Sequence, residues 1–423
     1  MDAIEVPPFF LCPISLQIMK DPVTVSTGIT YDRESIEKWL ISGKNTTCPV
    51  TKQVLTDSEL TPNITLRRVI QSWCTVNASH GVERFPTPKA PISKAQLVKI
   101  LNEAQSPQLQ IKCLRRLRSI ASHNETNKRC METVGAADFL ASIINNIEEV
   151  SIPTPASSAS DDHHGIFEHN TLESTKASDE ALSLLCHLQL SEDRLKTLFQ
   201  RNAKLIDSLV RVMQRGNYES RAYAVLLLKS MSEVVDPMQL TSLKTEFFVE
   251  LIQILHDQIS RKASKATLKL LINVCPGGRN RIKAAEAGAV PVLIDLLLDS
   301  TEKRATEMML IVLEQVCQCA EGRAELLKHG AGLAIISKKI LRVSQVASDR
   351  AVKILHSISR FSATTSVLQE MLSLGVVSKL CLVLQVDCGS KTKERAREIL
   401  KLHARTWNNS PCIPTSLRPS YPC

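Results

Sequence analysis

A small or apolar residue, an apolar residue four on and another three further recur six times along the chain, and a seventh set departs at its last position. The sets are Cys113/Leu117/Ile120, Ala181/Leu185/Leu188, Ala224/Leu228/Met231, Thr267/Leu271/Val274, Met309/Leu313/Val316, Ala351/Leu355/Ile358 and Ala396/Leu400/His403. Steps of four and three put each set on one face of a helix. The middle leucines lie 68, 43, 43, 42, 42 and 45 residues apart. A fixed period of this length predicts stacked helical units, each burying its apolar face against its neighbours. The predicted fold class is mostly α, with an α-solenoid over residues 92–405. The one long interval contains Ser151 to Thr175, rich in Ser, Pro and acidic residues with no helical pattern, so 151–175 is expected to be a disordered insertion. His403 breaks the apolar pattern, which reads as a polar cap followed by a tail over 406–423.

A period near 42 belongs to armadillo and HEAT repeats. Gly135, Gly288, Gly330 and Gly375 each precede an apolar helix, as in Glu286-Ala287-Gly288-Ala289-Val290-Pro291. That turn resembles the armadillo consensus. An aromatic content of 4% suits helices packed with Leu, Ile, Val and Ala. The resemblance implies that the third helix of each unit, the one carrying the motif, lines a groove. Lys265, Lys269 and Arg304 lie on such helices, among further cations including Arg221, Lys229, Arg350 and Lys353. They predict a basic groove for an acidic segment of a protein substrate. The net charge of +9 agrees in sign. No basic run interleaves with aromatics, so nucleic acid is not an expected partner.

The first 80 residues have no repeat. They carry Phe10-Leu11-Cys12-Pro13-Ile14-Ser15-Leu16, Asp21-Pro22-Val23, Thr27-Gly28-Ile29-Thr30-Tyr31-Asp32-Arg33, Cys48-Pro49-Val50-Thr51 and Leu60-Thr61-Pro62-Asn63. Cys12, Cys48, Cys74 and His80 lack the close pairing that zinc ligands need, so neither metal nor cofactor is expected. An apolar core of Ile36, Leu40, Leu55, Leu60, Leu66 and Ile70 and a polar network of Asp21, Thr27, Tyr31, Asp32 and Arg33 must hold this part. The stretch Thr30 to Ser42 reads as a helix with Asp32 as N-cap and Gly43 as its stop. Residues 80–91, with three prolines, read as a partly stiff linker.

In this order and spacing, the blocks closely resemble the U-box, a small zinc-free α+β domain that docks E2 enzymes in a class of E3 ubiquitin ligases. The resemblance covers residues 5–79, and the whole chain resembles plant U-box ligases with C-terminal armadillo repeats. It implies E2 contacts at Ile14, Leu16, Trp39, Pro49 and Val50, with Lys52 bridging E2 and ubiquitin where relatives often carry arginine. It also implies structural roles for Cys12, Asp21, Tyr31 and Asp32. The implied reaction is transfer of ubiquitin from the E2 thioester to a substrate lysine, with no nucleophile of the chain's own. The U-box aligns thioester and amine and raises their effective concentration. The alternative is a non-catalytic armadillo adaptor or scaffold.

Thirteen scattered cysteines, no C-x-x-C pair and a polar N-terminus point to a reducing compartment, cytoplasmic with the nucleus possible. No apolar stretch approaches the ~20 residues of a membrane span. The resemblance suggests roles in stress or immune signalling. Thr61, Thr87 and Thr154 each precede proline and are candidate sites of proline-directed phosphorylation. At Thr61 the added charge is expected to disturb homo-oligomerisation through the U-box.

Overall fold

The computed structural model describes residues 5–42, 45–55, 60–78, 82–83, 92–146 and 164–407. They fall into two compact units, one running to Leu140 and including His187–Gln189, the other comprising Ala141–Cys186 and the chain from Leu190.

The first unit opens with a three-stranded antiparallel sheet in the order β2-β1-β3: β1 Pro22–Thr24, β2 Thr30–Asp32 and β3 Thr61–Pro62. Val23 faces Tyr31 and Pro62 in the two ladders. Thr30–Asp32 is therefore strand, where the sequence predicted helix. The β-branched and aromatic pair Thr30-Tyr31 fits a pleated surface, and Tyr31 is fully buried there. The helix α1 occupies only Arg33–Glu37 and widens into a π-helical turn over Lys38–Ser42. Gly43, its predicted stop, lies outside the described residues. Asp32 stands at the N-cap position, but its carboxylate accepts the amides of Lys20 (2.8 Å) and Asp21 (2.9 Å) instead of capping α1. A longer-range loop has taken the acceptor that local pattern assigned to the helix.

Helix α2, Ile64–Val76, is capped by Asn63, whose Oδ1 accepts the Leu66 amide at 3.0 Å. Its Ile70 and Cys74 join Phe10, Met19, Val23, Val25, Tyr31 and Ile36 in the core of this small domain. Of the expected core residues Ile36 and Ile70 are buried, while Leu40, Leu55, Leu60 and Leu66 pack around the edge. Val82 packs there too, so the domain reaches into the segment read as linker. The unit continues with α3 (Lys94–Glu103), α4 (Pro107–Ala121), α5 (Glu125–Thr133) and the start of α6 (Ala136–Asn145). Leu97, Leu114, Leu117 and Met131 form their common core.

Helix α7 runs from His164 to Leu188 and belongs to the second unit as far as Cys186. Helix thus covers the part of the predicted insertion from His164 onward, and 151–163 lies outside the described residues. The far half of α7 buries Ala177, Ala181, Leu182 and Leu185. Once such a packed half exists, extending the helix backwards needs no new nucleus. No proline follows Pro155 to stop it.

Helical triplets follow: α8 (Glu192–Arg201), α9 (Leu205–Arg215) and α10 (Tyr218–Val234); then α11 (Thr245–Asp257) and α12 (Arg261–Val274), whose first helix is reduced to a 3-10 turn at Pro237–Leu240. Next come α13 (Asn280–Glu286), α14 (Ala289–Asp299) and α15 (Lys303–Val316), then α16 (Ala320–Lys328), α17 (Gly332–Lys339) and α18 (Gln345–Phe361). The last are α19 (Thr365–Ser373), α20 (Val376–Gln385) and α21 (Ser390–Leu402), with a short α22 at Ala404–Trp407. Leu228, Leu271, Leu313, Leu355 and Leu400 are all buried on the third helices, which pack on one another in sequence.

Gly288 and Gly375 adopt left-handed φ of 84° and 70° at the turn into the second helix, where a side chain is disfavoured. The α16–α17 turn is made differently. Its close approach falls on Gly332, where a Cβ would meet the Leu326 carbonyl oxygen at 2.1 Å, and Gly330 is unconstrained. At the far end the Nε2 of His403 lies 2.8 Å from the Ser359 carbonyl oxygen, and its ring packs edge-on to the fully buried Trp407. His403 thus ties the last helix to its neighbour, and the fold runs to Trp407, past the predicted start of the tail.

Candidate functional site

Two loops of the small domain are built alike, and each carries an exposed apolar side chain, Leu16 on one and Val50 on the other. Cys12-Pro13-Ile14-Ser15-Leu16-Gln17 and Cys48-Pro49-Val50-Thr51-Lys52-Gln53 match position by position. In the first, the Cys12 amide donates to Gln17 O and the Leu16 amide to Cys12 O, both at 2.8 Å. In the second, the Cys48 amide donates to Gln53 O (2.8 Å) and the Lys52 amide to Cys48 O (2.9 Å). Leu16 and Lys52 hold the same left-handed conformation, φ 56° and 61°. Non-glycine residues rarely adopt it, and such strain persists where surrounding bonds over-determine it. Isolated bridges Leu11–Ile18 and Thr47–Val54 close the bases of the two loops.

Each loop is anchored by its cysteine sulfur. Cys12 Sγ accepts the Asp32 amide at 3.3 Å. Cys48 Sγ accepts the Thr27 hydroxyl at 3.3 Å and lies 3.0 Å from the Tyr31 hydroxyl. The Val50 amide in turn donates to the Tyr31 oxygen at 3.3 Å. Burial raises the Cys48 pKa, but the hydroxyls of Thr27, Thr51 and Tyr31 and the Thr51 amide outweigh it and bring the thiol down to about 6. At Cys12 burial likewise works upward and the amides of Ser15, Asp32 and Ile14 bring the thiol below its usual range. Burial, then the bond to Cys48, pushes the Tyr31 phenol up, which keeps it a donor. A polar frame backs this core: Asp21 holds Arg33 Nε at 2.6 Å and Arg67 at 3.6 Å.

The loop tips carry the expected contact residues. Leu16 is 74% exposed and Val50 52%, and Val54, which the sequence reading missed, is 68% exposed beside them. Ile14 is half-buried against the core, as is Trp39, whose Nε1 donates to the Thr47 carbonyl at 2.8 Å. Trp39 therefore both packs and presents a face, and it stands on the π-turn, a geometry that concentrates at functional sites. The Lys52 ammonium lies 5.8 Å from the Trp39 ring centre, a cation–π pairing that gathers Lys52, Trp39 and Val50 on one side. The internal duplication Cys-Pro-x-x-x-Gln was the available signal for the twin loops.

Of the cations predicted on the third helices, several are neutralised within the array. Arg221 pairs with Asp257 (2.8 Å), Arg350 with Glu314 (3.0 Å) and Lys353 with Asp349 (3.5 Å). Acidic residues of a neighbouring helix answer Arg221 and Arg350, and Lys353 is answered from within its own helix, so part of the expected cationic set is neutralised. Lys265, Lys269 and Arg304 make no ion pair among the described residues. Lys265 and Arg304 are exposed and Lys269 is half-buried. Thr61 is exposed on β3, whereas Thr87 and Thr154 lie outside the described residues.

The Cys48 thiol sets a pH signature. Its folded pKa lies below the ordinary thiol value of 9.0, so the stabilisation is full above pH 9 and lost as pH falls through about 6. The denaturation midpoint of the small domain is expected to rise from pH 6 to pH 9, and Cys48→Ser should flatten that rise. Urea melts across this window, followed by Trp39 and Trp73 fluorescence, check it; an unchanged slope in Cys48→Ser would remove the thiolate from the account.

Comparison with known proteins agrees with this architecture. The U-box domain family matches residues 6–79, and the plant U-box protein ARM repeat region matches 96–423. The chain is 58% identical over 430 residues to E3 ubiquitin-protein ligase PUB22 of Arabidopsis thaliana, covering 99% of each. It is 57% identical over 428 residues to E3 ubiquitin-protein ligase PUB23 of the same plant, covering 100% of this chain and 98% of that one. A solved structure described as "A conserved phosphorylation switch controls the interaction between cadherin and beta-catenin in vitro and in vivo" shares the fold, with a TM-score of 0.57, 12% identity and coverage of 82% of this chain and 58% of that one. With a U-box over its first 79 residues, armadillo repeats after it and these relatives along its full length, the chain belongs to the plant U-box E3 ubiquitin ligases with C-terminal armadillo repeats.

Proposed function

We propose that the twin loops dock a ubiquitin-charged E2 and that the armadillo helices hold the protein that receives the ubiquitin. The observation that carries this reading is the exposure of Leu16 and Val50 on two rigid, thiol-anchored loops beside Trp39. Apolar groups held in water on a stiff scaffold favour a protein partner. Ile14 and Pro49 support the tips, and Lys52 supplies a positive charge where the resemblance sets the bridge to ubiquitin. A lysine keeps the charge and lacks the planar fork of arginine. The chain's contribution is alignment, since the reacting cysteine belongs to the E2. The expected setting is the cytoplasm, in stress or immune signalling, without nucleic acid. Trp39→Ala should weaken E2 binding by about 2 kcal/mol, the scale of a buried aromatic at a small interface. Titration of the purified E2 with a parallel thermal melt checks it, and full ubiquitin discharge by a folded Trp39→Ala variant would end the assignment.

The unpaired cations Lys265, Lys269 and Arg304 support capture of an acidic substrate segment. Reversing all three to Glu should reduce substrate ubiquitination while leaving E2 discharge to free lysine intact. Substrate binding should also fall with added salt, because these groups are largely exposed. Normal capture by the reversed protein would make them ordinary solvated charge.

Thr61 offers a regulatory position. It is exposed at the edge of the U-box sheet, two residues before the cap of α2. A phosphate there adds about −1.5 to −2 charges, which would repel a second U-box across the same surface. Thr61→Glu is expected to sediment as a smaller species than Thr61→Ala and to differ in autoubiquitination rate. Identical behaviour of the two variants would leave Thr61-Pro62 as a structural turn.

A further inference from the structure

The U-box does not sit apart from the repeat that follows it. Within the first unit, α1 packs on α5, although the end of α1 at Glu37 and the start of α5 at Glu125 lie 88 positions apart in a chain read as domain, linker and array. The contact is specific. The Thr126 hydroxyl donates to Glu37 Oε1, and Glu37 is only 2% exposed. A carboxylate is almost never buried to this degree without partners. Here the partners are Thr126 from the repeat and Arg33 of its own helix, whose NH1 lies 3.7 Å away. Arg33 is in turn fixed by Asp21 at 2.6 Å, so the seam is wired into the polar frame of the U-box.

The next residue of α5 holds a second segment. Asn127 is buried; its Oδ1 accepts the Ile92 amide at 3.0 Å and its Nδ2 donates to Ile120 O at 2.9 Å. Two successive residues of one helix thus grip the U-box and the chain leading into α3. On the other side Val82 is packed against the U-box core. Burial pushes the Glu37 carboxyl upward, against the pull of Thr126 and Arg33, as expected for a group enclosed between two packed surfaces.

We propose that Glu37 and Thr126 are positioning residues: they lock the U-box onto the first repeat, so that the direction in which ubiquitin is presented is set by a hydrogen bond to a buried carboxylate and not by a loose linker. Glu37 and Trp39 are two residues apart, about 200° around a helix, so the seam takes the side of the helix away from the proposed docking face. Leu16, Val50 and Lys52 stay exposed while the seam is closed. The seam therefore acts on geometry and leaves E2 docking alone. Thr126 is the weak point. Without its hydroxyl the enclosed carboxylate loses its donor from the repeat, and opening to water becomes the cheaper way to satisfy it.

This inference rests on the E2-docking reading for its consequence, but its structural half is tested separately. The full chain is compared as wild type, Thr126→Val and Thr126→Ser. In Thr126→Val, amides of Arg33–Ser42 and of α5 should exchange with solvent about tenfold faster, the size expected from one lost hydrogen bond to a charged group. Amides of α2 should be unchanged, showing that the U-box remains folded, and Thr126→Ser should restore protection. In a reaction with E1, E2 and ATP, discharge to free lysine should be the same in all three proteins. The set of lysines modified on the chain itself, mapped by mass spectrometry, should broaden in Thr126→Val alone. Unchanged exchange in Thr126→Val overturns the proposal, and so does loss of free-lysine discharge, which would place the seam in docking. If the wild type itself discharges no E2, the docking reading fails while the exchange result still decides the seam.

Discussion

The convergence of hydrogen-bond donors on two buried sulfurs is the constraint from which the N-terminal domain follows. A domain of this size has little apolar core with which to offset the entropy of its loops. Here Cys12 and Cys48 each end a strand-like segment, turn the chain through a proline and gather amides and hydroxyls from segments distant in sequence. A thiol drawn toward its thiolate accepts these donors more strongly than a neutral sulfur does. The bonds hold Leu16 and Lys52 in a conformation neither would choose, and that conformation delivers the loop tips to the surface. Position of the proposed docking residues is therefore a consequence of where the sulfurs sit.

In the second unit the organising constraint is repetition. Each third helix buries its leucine against the helix before and the helix after it, so neighbouring units must keep register. Polar bonds span the same steps: Gln315 Nε2 to Ile272 O at 3.1 Å, Ser357 Oγ to Cys317 O at 2.9 Å, Thr392 Oγ1 to Asp349 at 2.7 Å. Ion pairs such as Arg350–Glu314 and Arg221–Asp257 neutralise part of the charge on the third helices. Lys265, Lys269 and Arg304 are among the third-helix cations that make no ion pair with the described residues.

The seam at Glu37 joins these two themes within the first unit. A U-box on a free tether would sample many orientations and present ubiquitin to many lysines. A buried carboxylate bonded to the first repeat narrows that range, with Glu37 held between the Thr126 hydroxyl and Arg33.

The sequence alone determined the repeat, its period and the face on which each leucine is buried, because helical spacing is a local property that packing merely completes. The order of its motifs carried the likeness to the U-box, and the internal match of the Cys12 and Cys48 loops was legible in the same letters. Tertiary structure decided what local pattern could not. Thr30–Asp32 became strand because β1 lay alongside it, and Asp32 gave its carboxylate to Lys20 and Asp21 because their amides reached it first. His164 onward became helix on the strength of apolar residues buried more than a turn away, and Gly332, not Gly330, took the close approach because Leu326 folds back over it. The pairing of Arg221 with Asp257 and of Glu37 with Thr126 depends on residues 36 and 89 positions apart. Electrostatic and hydrogen-bond partners are chosen by distance in space, and distance in space is the quantity a linear pattern does not carry.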